Sequence, residues 1–260
     1  MQKKGNFLRK TLFKWLSFED YLSLISKLYL WSFNWGFLKN NRLYDYPYFL
    51  DKLVKEGDVC IDIGANLGYI STPLAKIVGK KGKVYAVEPI KPILSVLKKN
   101  TKSFKNIEIY PYALGTENKS IRLGNNTIKK QGFIASGSHF ILDKNITDDT
   151  SAEVEFDAEM KKGSELFASL DRINFIKVDI EGYESIVIPE IKDIILKHKP
   201  ILLIEARDDS RVQMLDFFEK ENFKAFILEK DRLLPANKDQ FWDIIFIPEE
   251  KIAQYSQYIA

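Results

Sequence analysis

Residues 59–71 read VCIDIGANLGYIS. An apolar, β-branched run stops at an acid, Asp62, and breaks into Gly64, Asn66 and Gly68 before apolar, helix-like sequence resumes. A buried strand that passes through a glycine turn into a helix is one unit of a βα repeat. Gly64 permits a sharp turn and close approach of a ligand, and Gly68 lets the following helix lie near the strand.

The same alternation runs outward from this stretch. A helix is predicted over 67–79, a second strand over 83–89 (KVYAVEP) and a second helix over 92–100. Residues 106–114 read as a third strand and 119–123 as a side hairpin. The span 124–152 is rich in Gly, Asn, Ser, Thr and Asp and reads mostly as loop, with 152–156 an exposed strand. Fourth and fifth strands fall at 174–180 and 200–206, with helices over 183–196 and 209–221. FKAFILE (223–229) and DIIFIP (243–248) close the chain as an antiparallel pair. Repeated βα units make a mostly parallel sheet with helices on both faces, and ligands bind beyond the carboxyl ends of its strands.

The 260 residues are 45% hydrophobic and 29% charged, which suits one large α/β domain with an appendage. The lone cysteine, Cys60, allows no disulfide within the chain, so a reducing, cytoplasmic setting is expected. The net charge of +3 is unevenly placed: residues 1–50 hold eight Lys/Arg against three Asp/Glu, leaving the remainder near neutral. Those 50 residues also hold 14 of the 34 aromatics. Their most apolar stretch, 28–38, is about half the ~20 residues a membrane span needs. Glu19 and Asp20 interrupt any signal-peptide core, so neither a span nor a signal peptide is expected.

Acids recur at the predicted strand ends: Asp62, Glu88, Asp179 and Glu205. Charges beside buried strands are costly without partners, and four of them on successive strands mark a site. Glu88 follows Gly64 by 24 residues, where an acid can accept hydrogen bonds from ribose hydroxyls. The turn Gly64-Ala65-Asn66-Leu67-Gly68 lacks the Gly-x-Gly-x-x-Gly that seats a pyrophosphate, and Asp62 would repel one. A carboxylate there suits a ligand with ammonium and sulfonium centres. S-adenosylmethionine fits better than NAD or ATP.

GDVCIDIGANLGYIS (57–71), GKVYAVEPIKP (82–92), YPYALG (110–115), FIKVDIEGYES (175–185) and KPILLIEA (199–206), in that order, resemble the FkbM family of S-adenosylmethionine-dependent methyltransferases. The resemblance implies a class I methyltransferase (Rossmann-like) fold: a seven-stranded, mostly parallel sheet whose last strand is reversed. It also implies O-methylation of a hydroxyl, often on a sugar or polyketide. By position, Asp62, Gly64, Asn66 and Gly68 would hold the methionine end of the cofactor, Glu88 the ribose, and Tyr112 and Ala113 would lie near the adenine. Asp179, Glu181 and Glu205 would face the methyl group and the acceptor. The chain departs from the family at Gly163-Ser164-Glu165, where many members carry an acid at the middle position; Glu165 is a displaced substitute. The resemblance covers roughly residues 50–205; with the composition, it divides the chain into a basic aromatic helical extension, 1–50, and a methyltransferase domain, 51–260.

Methyl transfer to a hydroxyl is an in-line displacement aided by proximity and by removal of the hydroxyl proton. Asp179 and Glu181 are the candidates for base or acceptor-orienting acid. Lys177 shares a strand face with Asp179 and is expected to pair with Glu205, either tying strand ends together or polarising the acceptor. His139 is a base near neutral pH or a solvent-facing loop residue, and His198 favours a helix dipole. One Cys and two distant His give no zinc set, and the spacing of the acids makes no positive case for magnesium.

The expected acceptor is a saccharide or glycoconjugate hydroxyl. A non-catalytic scaffold that binds the cofactor is the alternative, and an NAD-dependent dehydrogenase a distant third. Nucleic acid is not the expected partner: the body is near neutral, and Asp179-Ile180-Glu181-Gly182 stands where base-directed enzymes carry Asn/Asp-Pro-Pro-Tyr. For the N-terminal segment two readings stand. It caps the catalytic domain or forms part of the acceptor site, or residues 1–40 rest on an anionic membrane surface.

Overall fold

The structure, a computed structural model, describes residues 2–142, 152–239 and 243–260. Three helices lead: α1 (Gln2–Trp15), α2 (Phe18–Asn34) and α3 (Asp45–Leu53). The Ser17 hydroxyl accepts the Asp20 amide at 3.2 Å and so caps α2. Pro47 falls in the first turn of α3, where no amide is needed.

Next come β1 (Val59–Ile63), α4 (Ser71–Val78), β2 (Lys83–Val87), α5 (Lys91–Thr101) and β3 (Ile107–Tyr110). The helix predicted from residue 67 begins only at 71, since Asn66 (φ 50°) and Gly68 (φ 87°) hold left-handed backbone. The predicted third strand is cut at Pro111, which has no amide to donate. Beyond it the chain enters a second sheet of β4 (Ala113–Leu114), β5 (Lys119–Asn125), β6 (Phe140–Ile141) and β7 (Val154–Lys161), with α6 (Ile128–Gln131) between β5 and β6. The side hairpin is thus an inner strand, β5, paired antiparallel to both β6 and β7. Part of the expected loop is ordered into β6 and α6; residues 143–151 lie outside the described residues.

The chain returns through α7 (Gly163–Leu166), β8 (Phe175–Val178), α8 (Glu184–Glu190), α9 (Lys192–His198), β9 (Ile201–Ile204) and α10 (Asp208–Lys220), then β10 (Phe223–Glu229), β11 (Arg232–Pro235) and β12 (Ile244–Pro248). The single helix expected over 183–196 is two, because Pro189 cannot extend the amide ladder of α8. Among the described residues the main sheet has eight strands rather than seven, in the order β11-β10-β12-β9-β8-β1-β2-β3. The added edge strand, β11, folds back from β10 over Lys230 and Asp231, both at positive φ, a turn without the usual Asn-Gly signal. β12 runs antiparallel between β9 and β10, as the reversed last strand of the expected fold requires.

Register sets the site. Ile63 pairs with Val87 and Val178, Val178 with Ile204, and Ile204 with Ile244. The carboxyl ends of β1, β2, β8 and β9 therefore share one edge with the amino end of the reversed β12. One sheet face packs on α8–α10, where Phe218 stacks on Phe246 at 4.1 Å, and the other on α3 and α4. α2 lies along α5 with Tyr21 and Leu22 fully buried.

Candidate active site

The turn after β1 and the turn after β8 touch. A Cβ on Gly64 would lie 1.9 Å from the Asp179 carbonyl oxygen, so only glycine fits this crossing. Lys177 Nζ donates to the Gly64 carbonyl at 3.1 Å and tightens it. Glu181 (φ 54°) and Gly182 (φ 99°) turn the chain sharply away from β8.

Glu88 follows β2 directly, with both carboxylate oxygens engaged. One accepts the Asn66 amide at 3.0 Å, the other the Ile90 amide at 2.9 Å. Burial pushes its pKa up to about 7 against those two hydrogen bonds. The Asn66 side-chain oxygen is buried without a hydrogen-bond partner. Both residues line a cavity that also takes in Gly64, Tyr112, Ala113, Asp179, Glu181 and Glu205. Of the eleven residues assigned from sequence to the cofactor, the methyl group or the acceptor, all but Asp62, Gly68 and Lys177 line this cavity.

Those three lie beneath it, and their expected roles change. Gly68 is packed under α5, where a Cβ would meet Leu97 at 3.1 Å. Asp62 is fully buried and accepts the Ser71 hydroxyl at 2.5 Å, with Lys177 at 3.8 Å. The expected Lys177–Glu205 pair does not form. Lys177 stands opposite Asp62 in register and pairs with Asp62 and, at 3.1 Å, with Asp179. Burial alone would lower its pKa, but the two carboxylates hold it above its usual value and keep it charged. Glu205 pairs with Arg207 instead.

Asp179, Glu181 and Glu205 bring carboxylate oxygens within 4.8 Å of one another, a convergence their spacing did not reveal, and among the described residues they are the group that could hold a cation. They do not share one protonation state. Burial and the neighbouring Asp179 push Glu205 up to about 9, so it carries a proton and hydrogen-bonds to Asp179. Against burial, Lys177 and that hydrogen bond hold Asp179 below its usual value. Burial, then the Asp179 charge, pushes Glu181 up to about 7.

His139 lines the cavity and meets Phe156 edge-on at 5.5 Å, so the solvent-facing reading fails. Its Nε2 is buried without a hydrogen bond, and burial lowers its pKa to about 4, which makes it a poor base. Burial and then Lys197 also lower the pKa of His198 at the end of α9, which works against the charged form that would favour the dipole. Ser164 and Glu165 stand outside the cavity. Ser164 binds Glu190, while Glu165 accepts from Asn118 at 2.9 Å, so Glu165 replaces no cavity acid.

Sequence reading missed Asp243. As the residue before the reversed β12, it falls at the same sheet edge as the ends of the parallel strands. Burial and the Asp179 charge raise its pKa to about 6. The signal was an acid directly before a wholly apolar strand. Also missed were Ser136, Gly137 and Phe140, which bring the second sheet to the cavity wall.

Five parallel strands, a reversed strand inserted before the sixth, and a cavity across the switch point between β1 and β8 define a class I methyltransferase fold. Residues 62–225 match the methyltransferase FkbM domain, and the chain belongs to that family of S-adenosylmethionine-dependent methyltransferases. It is similar to the crystal structure of methyltransferase FkbM from Methylobacillus flagellatus KT (17% identity, TM-score 0.49), the match covering 75% of this chain and 44% of that one. A second similar structure is Aeropyrum pernix fibrillarin with bound S-adenosyl-L-methionine (14% identity, TM-score 0.43, 75% and 67% covered). A 56-residue segment, 21% of the chain, is 38% identical to 23% of protein-L-isoaspartate O-methyltransferase from Methanosarcina mazei. The chain thus spans under half of the first structure and under a quarter of the curated relative.

Proposed function

We propose that the protein transfers the methyl group of S-adenosylmethionine to a hydroxyl, and that the acceptor is a saccharide or glycoconjugate. One observation carries the reading: a single cavity is lined by Asn66 and Glu88 together with Asp179, Glu181 and Glu205. The unpartnered Asn66 oxygen is an acceptor for an ammonium group, and Glu88, its orientation fixed by two amides, for ribose hydroxyls. Gly64 and Ala113 leave room beside them. When bound, S-adenosylmethionine supplies an electrophilic methyl on a sulfonium centre. Asp62 and Lys177 act from below, fixing the β1 and β8 turns against each other.

Glu181 takes the acceptor's hydroxyl proton. Its pKa of about 7 suits a base working at neutral pH, whereas Asp179 is too acidic and Glu205 is already protonated. The Asp179–Glu205 pair, joined by that one proton, presents its remaining carboxyl oxygens side by side as acceptors for neighbouring hydroxyls of a sugar ring. A reducing cytoplasm suits the lone, buried Cys60.

The test is transfer of labelled methyl from the cofactor into extracted glycans. Because Glu181 must be ionised to act, kcat/KM is expected to rise with pH through about 7. Glu181→Gln should lower kcat by roughly 10²-fold and remove that rise. Full turnover with an unchanged profile would discard Glu181 as base. Label entering other hydroxyl compounds but no glycan would discard the acceptor.

A further inference from the structure

Helix α2 is apolar on two sides. Tyr21 and Leu22 face the body, with Ile25 and Tyr29 half buried. On the other side Leu24, Leu28, Trp31 and Trp35 follow at i, i+4, i+7 and i+11, a single stripe. All four are exposed, Trp31 by 55% and Trp35 by 70%. Phe37, also exposed, continues the stripe, its ring 5.4 Å from Trp31, and Trp31 lies 6.4 Å from Trp35. A contiguous apolar surface of this kind marks a partner.

Charge identifies the partner. Residues 1–50 carry eight Lys/Arg against three Asp/Glu, while the rest of the chain is near neutral. Lys27 sits exposed within the stripe, and Lys39 and Arg42 are exposed beyond its end. Of the three acids, Glu19 is already engaged by Ser95 at 2.9 Å and Lys99 at 3.4 Å. We propose that this face docks on an anionic lipid bilayer, with the Trp and Phe rings at headgroup depth and the basic side chains reaching the lipid phosphates. No described helix is long and apolar enough to cross a membrane, so the contact is with one leaflet.

The docking element is coupled to the cavity. Phe18 of α2 stacks on Phe156 at 6.2 Å, and Phe156 meets the cavity residue His139. Resting on the reading above, the acceptor would then be a glycan carried on a lipid, presented where the protein binds. The docking itself needs neither cofactor nor acceptor.

The full chain is mixed with phosphatidylcholine vesicles, with or without about one-third phosphatidylglycerol, and followed by co-sedimentation and by quenching with brominated-chain lipids. Binding and quenching are expected on the anionic vesicles only, weakening with salt. The triple variant Trp31→Ser/Trp35→Ser/Phe37→Ser should bind at least about 10-fold more weakly while its circular dichroism melt shows a folded protein. Failure of the full chain to bind, or equal binding by a folded triple variant, overturns the proposal. So does a dimer in sedimentation velocity that the triple variant disperses without vesicle binding, since a second copy would then cover the face. Because vesicle binding is read without methyl transfer, it can fail while the methyltransferase reading stands, and the reverse.

Discussion

Gly64 is where backbone chemistry and site chemistry meet. Its φ of 77° disfavours any side chain, and the Asp179 carbonyl occupies the space a Cβ would need. Either the β1 turn moves away from β8 or the strand ends part, and both disturb the carboxylates behind them. Gly64→Ala is expected to lower stability by about 2–4 kcal/mol in urea unfolding. Gly137→Ala is the control: it also lines the cavity, but its added Cβ would meet only the Asn66 side-chain nitrogen at 3.4 Å and a Glu181 carboxylate oxygen at 3.6 Å, and the loss should stay within about 0.5 kcal/mol. Equal losses from both would show that the crossing is not the source of the constraint. Gly64 was legible in the sequence as a turn glycine. Its contact with Asp179 was not, since it depends on the pairing of β1 with β8, 115 residues apart by the Val59–Asn174 hydrogen bond.

Among the elements, strands with apolar runs ended by acids were readable, because burial on both faces demands such runs and the site demands the acids. Elements whose pattern depends on distant pairing were not. β5 becomes an inner strand only through β6 and β7, β11 through an unmarked turn, and Asp243 reaches the site only because β12 is reversed. α2 is instructive in another way. Its spacing reads as helix, yet nothing in it says which apolar side is covered, since both are apolar. The opposite sides therefore make a direct experiment. Leu22, fully buried against α5, should cost about 2–5 kcal/mol as Leu22→Ala. Leu28, 52% exposed, should cost no more than about 0.5 kcal/mol as Leu28→Ala. Denaturant midpoints at equal m-value would measure both, and a large loss at Leu28 would mean that this side is covered within the protein. Deleting the N-terminal helices altogether would strip the partner from α5, so substitution is the sharper tool.

At the scale of the molecule, the cavity joins parts that the chain keeps apart. Gly64, Glu88 and Asp179 come from the main sheet, while Gly137, His139 and Ile141 come from the second sheet and its connections. A ligand filling it would clasp the two sheets and could not remain bound after either had opened. Stabilisation by the cofactor product, S-adenosylhomocysteine, should therefore appear in the global unfolding transition. At about 100 times its dissociation constant the expected gain is about 2.7 kcal/mol, read as an upward shift of a single thermal transition. NAD at the same concentration should give no shift, because the turn after β1 lacks the glycine spacing that would seat its pyrophosphate. Glu88→Ala should abolish the shift, removing the carboxylate whose two amide hydrogen bonds hold the β1 and β2 turns in place. A shift that survives Glu88→Ala would move the ribose site elsewhere. A shift confined to one of two separated transitions would mean that the ligand grips one sheet alone, and the second sheet would then serve the acceptor rather than the cofactor.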